Sequence, residues 1–248
     1  MSKLKAIAPK AVKPTKPKFL VYGAAKAGKT WTSIDFPSVY FIDTERGATR
    51  ENYQDKLSKA GGVYVGMEQG SQSFKEVLEQ IKALATEKHE YRTLVIDSFT
   101  YLFNLEVAKE VERLGEKDAF GASKKPAVQK SRQMLMWLDR LDMNVILICH
   151  EKPKWANGEQ VGVTFDGYEK LDYMLELTLY IQRRGNDRVA TVKESRMKEF
   201  PMGSAFPWSY DEFASRYGKE VIEQNAKPIE LATEAQLKEI SHLLDVVK

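Results

Sequence analysis

Residues 19–30 read Phe19-Leu20-Val21-Tyr22-Gly23-Ala24-Ala25-Lys26-Ala27-Gly28-Lys29-Thr30. Four apolar residues, the right length for a short buried strand, run directly into a match to G-x-x-x-x-G-K-[ST]. A chance match in a chain of this length is on the order of 1%, so the spacing carries weight. The chemistry explains it. Glycines let the backbone wrap around phosphate oxygens with successive N–H groups pointing inward, and a helix opening inside the motif adds positive potential. The expected phosphate set is Gly23, Ala24, Ala25, Lys26, Ala27, Gly28, Lys29 and Thr30, with Trp31 following directly. Lys29 is expected on the outer phosphates. The Thr30 hydroxyl is expected on Mg²⁺, which implies ATP or a similar nucleotide as ligand.

Working outward, the helix must stop before Pro37. Val39-Tyr40-Phe41-Ile42 reads as the next strand and leads into Asp43-Thr44-Glu45-Arg46-Gly47. Gly62-Val63-Tyr64-Val65 reads as a third. Phe74, Val77, Leu78, Ile81 and Leu84 recur at helical spacing, with Ser71 or Ser73 as the start. Thr93-Leu94-Val95-Ile96 is a strand closed by Asp97-Ser98, and a helix follows over Phe99–Leu114. Next come a Gly- and Lys-rich segment and a helix through Met134, Leu135, Leu138 and Leu141. A strand over 144–149 runs into a polar loop over 151–168. Residues 175–182 and 188–193 read as an antiparallel hairpin around Arg183-Arg184-Gly185-Asn186-Asp187. Thr233-Glu234-Ala235-Gln236 has capping-box spacing before a helical face of Leu237, Ile240, Leu243, Leu244 and Val247. Strands alternate with helices over the first 150 residues. The fold class is therefore α/β, a mostly parallel central sheet flanked by helices, with a late antiparallel hairpin and a short C-terminal helix. Three regions are expected: a basic flexible arm over 1–18, an ATPase core over 19–208 and an acidic segment over 209–248.

Charge excludes some classes and localises others. The 248 residues carry a net +3, but residues 1–18 hold six lysines and no acid, which leaves the remainder at −3. A wholly basic coat is excluded, so any nucleic-acid surface is local. A hydrophobic content of 43% supports a sizeable core and argues against wholesale disorder. No apolar run reaches membrane-span length, and no apolar stretch follows the first lysines, so neither a membrane nor a secretory signal is expected. The single cysteine, Cys149, has no internal disulfide partner, in keeping with a cytoplasmic location.

Asp97, at the end of an apolar strand, can hold the water shell of Mg²⁺ opposite the phosphate loop. Hydrolysis also needs a group that orients water. Glu45, just past another strand end, is the candidate, with Asp43 two residues earlier as its competitor.

GAAKAGKT, then YFIDTERG, then TLVIDSFTYLF resembles, in that order, the RecA-like recombinase and helicase ATPases. Within them the chain looks most like small phage-encoded RecA-like proteins associated with single-strand annealing. The loop form YG-x-x-K-x-GKT, the stretch IDFPSVYFIDTERG and the tail YGKEVIEQNAKPIELATEAQLKEI carry that finer likeness. The resemblance implies Glu45 as general base and His150, in VILICHEK, as a sensor of the outer phosphate. Recombinases usually carry Gln at that place and some ring helicases His, and a polar strand end without a catalytic part stays an open reading. Lys193 and Arg196, in TVKESR, fall where ring helicases place a cation that acts on a neighbouring subunit's nucleotide; ordinary surface charge is the alternative. The resemblance further implies a homo-oligomer, ring or filament, and single-stranded DNA as ligand, and admits a single-strand-binding protein as partner.

Two segments would grip DNA. The first, 115–126, holds Lys117, Phe120, Lys124 and Lys125; the second, 151–168, holds Lys152, Lys154 and Trp155. Lysines follow phosphates and aromatics stack on bases, a mixture suited to single strands.

Overall fold

The structure is a computed structural model and describes residues 6, 14–47, 51–115, 121–230, 236 and 238. The expected C-terminal helix with its capping box, and Lys117 and Phe120, lie outside the described residues, as does most of the basic arm.

Among the described residues, nine strands form one sheet. They are β1 (Lys18–Gly23), β2 (Val39–Asp43), β3 (Val63–Val65), β4 (Thr93–Asp97), β5 (Asn144–Ala156), β6 (Glu159–Phe165), β7 (Leu177–Arg184), β8 (Asp187–Ser195) and β9 (Ala205–Pro207). The order is β3-β2-β4-β5-β1-β7-β8-β9, with β6 paired to β5 alone. From β3 to β7 every pairing is parallel; β8 and β9 add antiparallel strands at one edge. β5 stands between the phosphate-loop strand β1 and the Asp97 strand β4, with Tyr22 opposite Cys149 and Asp97 opposite Ile148. The carboxyl ends of β1, β2, β4 and β5 therefore open on one edge, where ligands of parallel sheets bind.

The helices are α1 (Lys29–Ser33), α2 (Glu51–Lys59), α3 (Phe74–Thr86), α4 (Phe99–Leu114), α5 (Lys124–Arg140), α6 (Leu171–Met174), α7 (Tyr210–Tyr217) and α8 (Lys219–Ile222). Successive strand residues point to opposite faces, so each strand feeds two cores. Leu20, Leu94, Ile96 and Leu147 pack with α3, α4 and α5 on one face. Phe19, Val21, Val95 and Ile146 pack on the other with Phe36, Trp208 and Phe213. Ser73 and Ser98 cap α3 and α4 by accepting from Glu76 and Tyr101 N–H groups.

The expected polar loop over 151–168 is a correction. β5 continues to Ala156, turns through Asn157 and Gly158, and returns as β6 in an antiparallel ribbon. Asn157 and Gly158 both have positive φ, 52° and 83°, the geometry a two-residue hairpin turn needs. A second correction concerns Lys124 and Lys125, which open α5 instead of lying in a loop. A third concerns the arm, because Lys18 begins β1 and Lys16 is buried, its Nζ donating to the Gln224 carbonyl. Strand β9 and helices α2, α6, α7 and α8 are additions. No described helix is long and apolar enough to cross a membrane.

Candidate functional site: a phosphate cleft at the sheet edge

The loop between β1 and α1 is shaped by two close approaches. A Cβ on Gly23 would lie 2.2 Å from the Ile181 carbonyl oxygen of β7, so only glycine lets the neighbouring strand pass. Gly28 sits at φ 97° before α1, and a Cβ there would lie 2.8 Å from the Arg188 side chain. The first N–H groups of α1 have no acceptor within their own helix. Lys29 folds back over the loop, its Nζ donating to Gly23 O at 2.7 Å and Ala24 O at 2.8 Å. Burial pushes its ammonium below the usual lysine range, against the pull of Asp97, Glu151 and Glu45. A buried cation whose hydrogen bonds go to two carbonyls gains a directly bonded counter-charge when phosphate arrives.

Across the cleft, the Thr30 hydroxyl donates to Asp97 Oδ2 at 2.5 Å. Burial raises the Asp97 carboxyl to about 6, with the Thr30 bond opposing the rise. Two hard oxygens side by side, one on a carboxylate short of positive charge, fit Mg²⁺. Among the described residues no cluster of three His, Cys, Asp or Glu could hold a metal, so the ion would take its remaining ligands from phosphate and water. When bound, it would neutralise charge on the outer phosphates.

Glu45 stands on the third wall. Its Oε1 lies 2.8 Å from His150 Nε2 and also accepts from the Ser98 hydroxyl. Burial would raise the Glu45 carboxyl, but the bonds from His150 and Ser98 outweigh it, and the group sits below its ordinary value. His150 is pushed up, chiefly by the bond to Glu45. Asp43 has a different task. It is buried, and its Oδ1 accepts the N–H groups of Glu45 at 3.1 Å and Gly47 at 2.9 Å, so it shapes the loop that presents Glu45. Together Gly23, Lys29, Thr30, Glu45, Asp97 and His150 line a cleft of about 590 Å³, with Tyr53 and Glu151 at its walls.

Ala24, Ala25 and Lys26 line the same cleft, Lys26 exposed at φ 64° on the loop. Other expected residues lie elsewhere. Trp31 is 47% exposed and stands outside the cleft lining, edge-on to Tyr53 with Lys56 Nζ 4.0 Å from its ring. Lys193 lies over the Tyr180 ring at 5.3 Å. Arg196 donates to the Tyr173 carbonyl at 2.6 Å, beside the start of β7. Since β7 runs parallel to β1, Arg196 sits at the end of the sheet opposite its own phosphate loop. Lys152 pairs with Asp166 at 3.3 Å, whereas Lys154 and Trp155 are exposed on the ribbon. The ribbon is rooted in the cleft: the His150 N–H donates to Thr100 Oγ1, and Thr100 Oγ1 donates to the Asp166 carbonyl.

Sequence reasoning missed Ser98, Arg188 and Tyr53. Ser98 carried a signal as the residue after Asp97, but its contact spans 53 residues. Arg188 and Tyr53 carried none.

One solved structure, titled as that of the RadB recombinase, aligns with 77% of this chain and 86% of its own at 17% identity and a TM-score of 0.47. No curated protein matches. A protein-family profile described as AAA domain matches residues 15–199, a span that holds the phosphate loop, Glu45, Asp97 and His150. The chain belongs to that AAA domain family.

Proposed function

We propose that the protein is an ATP- and Mg²⁺-dependent ATPase that binds single-stranded DNA and promotes annealing or strand exchange as an oligomer, in the manner of the phage-encoded RecA-like proteins its sequence resembles. The observation that carries the ATPase part is the convergence of Lys29, the Thr30–Asp97 pair and Glu45 on one cleft. Lys29 and the loop amides bind phosphate, and Thr30 and Asp97 hold the metal. Glu45 takes the proton of the attacking water once that water displaces a donor from its Oε1. His150 stands where it can exchange its bond to Glu45 for one to the outer phosphate.

The DNA part is supported by the ribbon of β5 and β6. Trp155 is 64% exposed there, beside Lys154, and an aromatic and a cation together suit bases and phosphates of a single strand. A gel-shift series with single-stranded DNA, with and without ATP and over a range of salt, tests this reading. Absence of binding at low salt, where phosphate contacts are strongest, would end it. His150 on Glu45 favours a second reading, a translocating helicase of the same fold. ATP-driven displacement of a duplex strand would select it. A single-strand-binding protein as partner belongs to the first reading, with co-sedimentation as its test.

A further inference from the structure

Two side chains outside the cleft lining grip the chain just ahead of Glu45. The Ser71 hydroxyl donates to the Asp43 carbonyl at 2.5 Å, and the Gln72 carboxamide donates to the Thr44 carbonyl at 2.8 Å. Consecutive donors thus meet consecutive carbonyls. We propose that Gln72, with Ser71 beside it, is a positioning residue for hydrolysis, acting through Thr44 to fix where Glu45 presents its carboxylate to water. The proposal rests on the reading of Glu45 as general base.

The sheet stops short of this loop on one side. The pairing of β2 with β3 ends at Ile42 opposite Val65, whereas that with β4 runs on to Asp43 opposite Asp97. On the β4 side, the Thr44 N–H donates to the Asp97 carbonyl at 2.8 Å. The Thr44 hydroxyl donates to the Ser98 carbonyl at 3.0 Å and accepts the Ser98 N–H at 2.8 Å. On the β3 side the strand has ended, and Ser71 and Gln72 supply donors where a strand would have. The grip matters because the next turn is strained. Arg46 has φ 60°, and Asp43 Oδ1 gathers the N–H groups of Glu45 and Gly47. A left-handed residue other than glycine persists only where its surroundings over-determine it. The two donors stand on a braced segment. Ser71 is fully buried, its N–H donates to the Gly66 carbonyl across the 3₁₀ turn Met67–Gln69, and Ser73 caps α3 directly after Gln72. Loss of the Gln72 donor frees one side of the loop and lets Glu45 shift, and a misplacement of about 1 Å can cost about a hundredfold in rate.

The test is ATP turnover by the full chain carrying Gln72→Met, which keeps the length of the side chain and removes its donor. kcat should fall about tenfold or more, with KM for ATP within about twofold of wild type, because ground-state binding is untouched. In a Glu45→Gln background the same change should alter kcat by less than about twofold, since a residue that acts through Glu45 then has no base to position. Gln72→Glu adds a pH readout. Its carboxyl donates to the Thr44 carbonyl when protonated and repels it when ionised. Its kcat relative to wild type should therefore recover as pH falls from about 8 to about 5. Unchanged kcat in Gln72→Met overturns the proposal. So does an equal loss in the Glu45→Gln background, or a relative rate of Gln72→Glu that stays flat with pH. Full turnover in Glu45→Gln alone would instead refute Glu45 as the base, and the proposal with it.

Discussion

Glu45 accepts two hydrogen bonds on one oxygen, from His150 and from Ser98, and both must be weighed against its role toward water. An acceptor engaged by an imidazole is a poorer base until that bond is given up. Glu45→Gln keeps the shape of the cleft and removes the base, so ATP affinity should hold while turnover drops by about 10²–10⁴. Equal turnover in steady-state assays would move the role elsewhere, though Asp43 is already committed to backbone N–H groups. Lys29→Ala deletes the cation over the loop and should abolish nucleotide binding; unchanged affinity by calorimetry would refute the site. The Glu45–His150 pair also carries a pH signature. His150 is raised by Glu45, so its share of stability is complete below the ordinary histidine value and is lost as pH climbs through the raised one. Glu45 is lowered, so its share exists above the ordinary glutamate value and is lost on acidification. The two overlap at about pH 5–6. His150→Ala should therefore cost most there, by less than about 1 kcal/mol because the pair is partly exposed. The gap in urea unfolding should close as pH climbs through the raised histidine value, and a gap independent of pH would mean that packing, not charge, is lost.

At the scale of elements, the ribbon of β5 and β6 is the piece whose removal should leave ATP binding intact. Trp155→Ala removes the stacking surface and should weaken single-stranded DNA by about 1–3 kcal/mol. Lys154→Ala should lower the slope of log affinity against log salt by about 0.7, the contribution of one phosphate contact on a single strand. Fluorescence anisotropy over a salt series reads both, and equal loss of nucleotide affinity would show a damaged fold instead. The same ribbon shows where sequence patterns lose their grip. The core strands were legible because Leu94, Val95 and Ile96 are buried on both faces and leave an unbroken apolar run. Residues 151–162 are solvent-facing almost throughout, so no apolar alternation marks them. Only Asn157-Gly158 signalled the turn. Strand β9, three residues long, forms because β8 offers it an edge, which no local pattern records. In the cleft, Lys29, Thr30 and Asp97 were legible through motif and strand end. Ser98 and Arg188 depend on pairings across the sheet.

At the scale of the molecule, the cationic stretch over 182–198 divides between two ends of the sheet. Arg183, Arg184 and Arg188 flank the turn near the phosphate loop, whereas Arg196 lies by the amino ends of β1 and β7. Strand β1 spans six residues, about 20 Å at the usual rise, so Arg196 is out of reach of its own cleft and is engaged with the Tyr173 carbonyl. If it acts on phosphate at all, it acts on a neighbour's. That makes a definite prediction for mixed assemblies. Arg196→Ala alone should depress turnover while ATP affinity within a subunit is kept, and Glu45→Gln alone should be nearly inactive. Mixed together, an Arg196→Ala subunit still has its base and receives Arg196 from a Glu45→Gln neighbour, so one class of interface is complete. Turnover of the mixture should exceed that of either variant alone and rise with protein concentration. An unchanged rate on mixing, with assembly confirmed by light scattering, would assign Arg196 to holding α6 against β8 within its own chain.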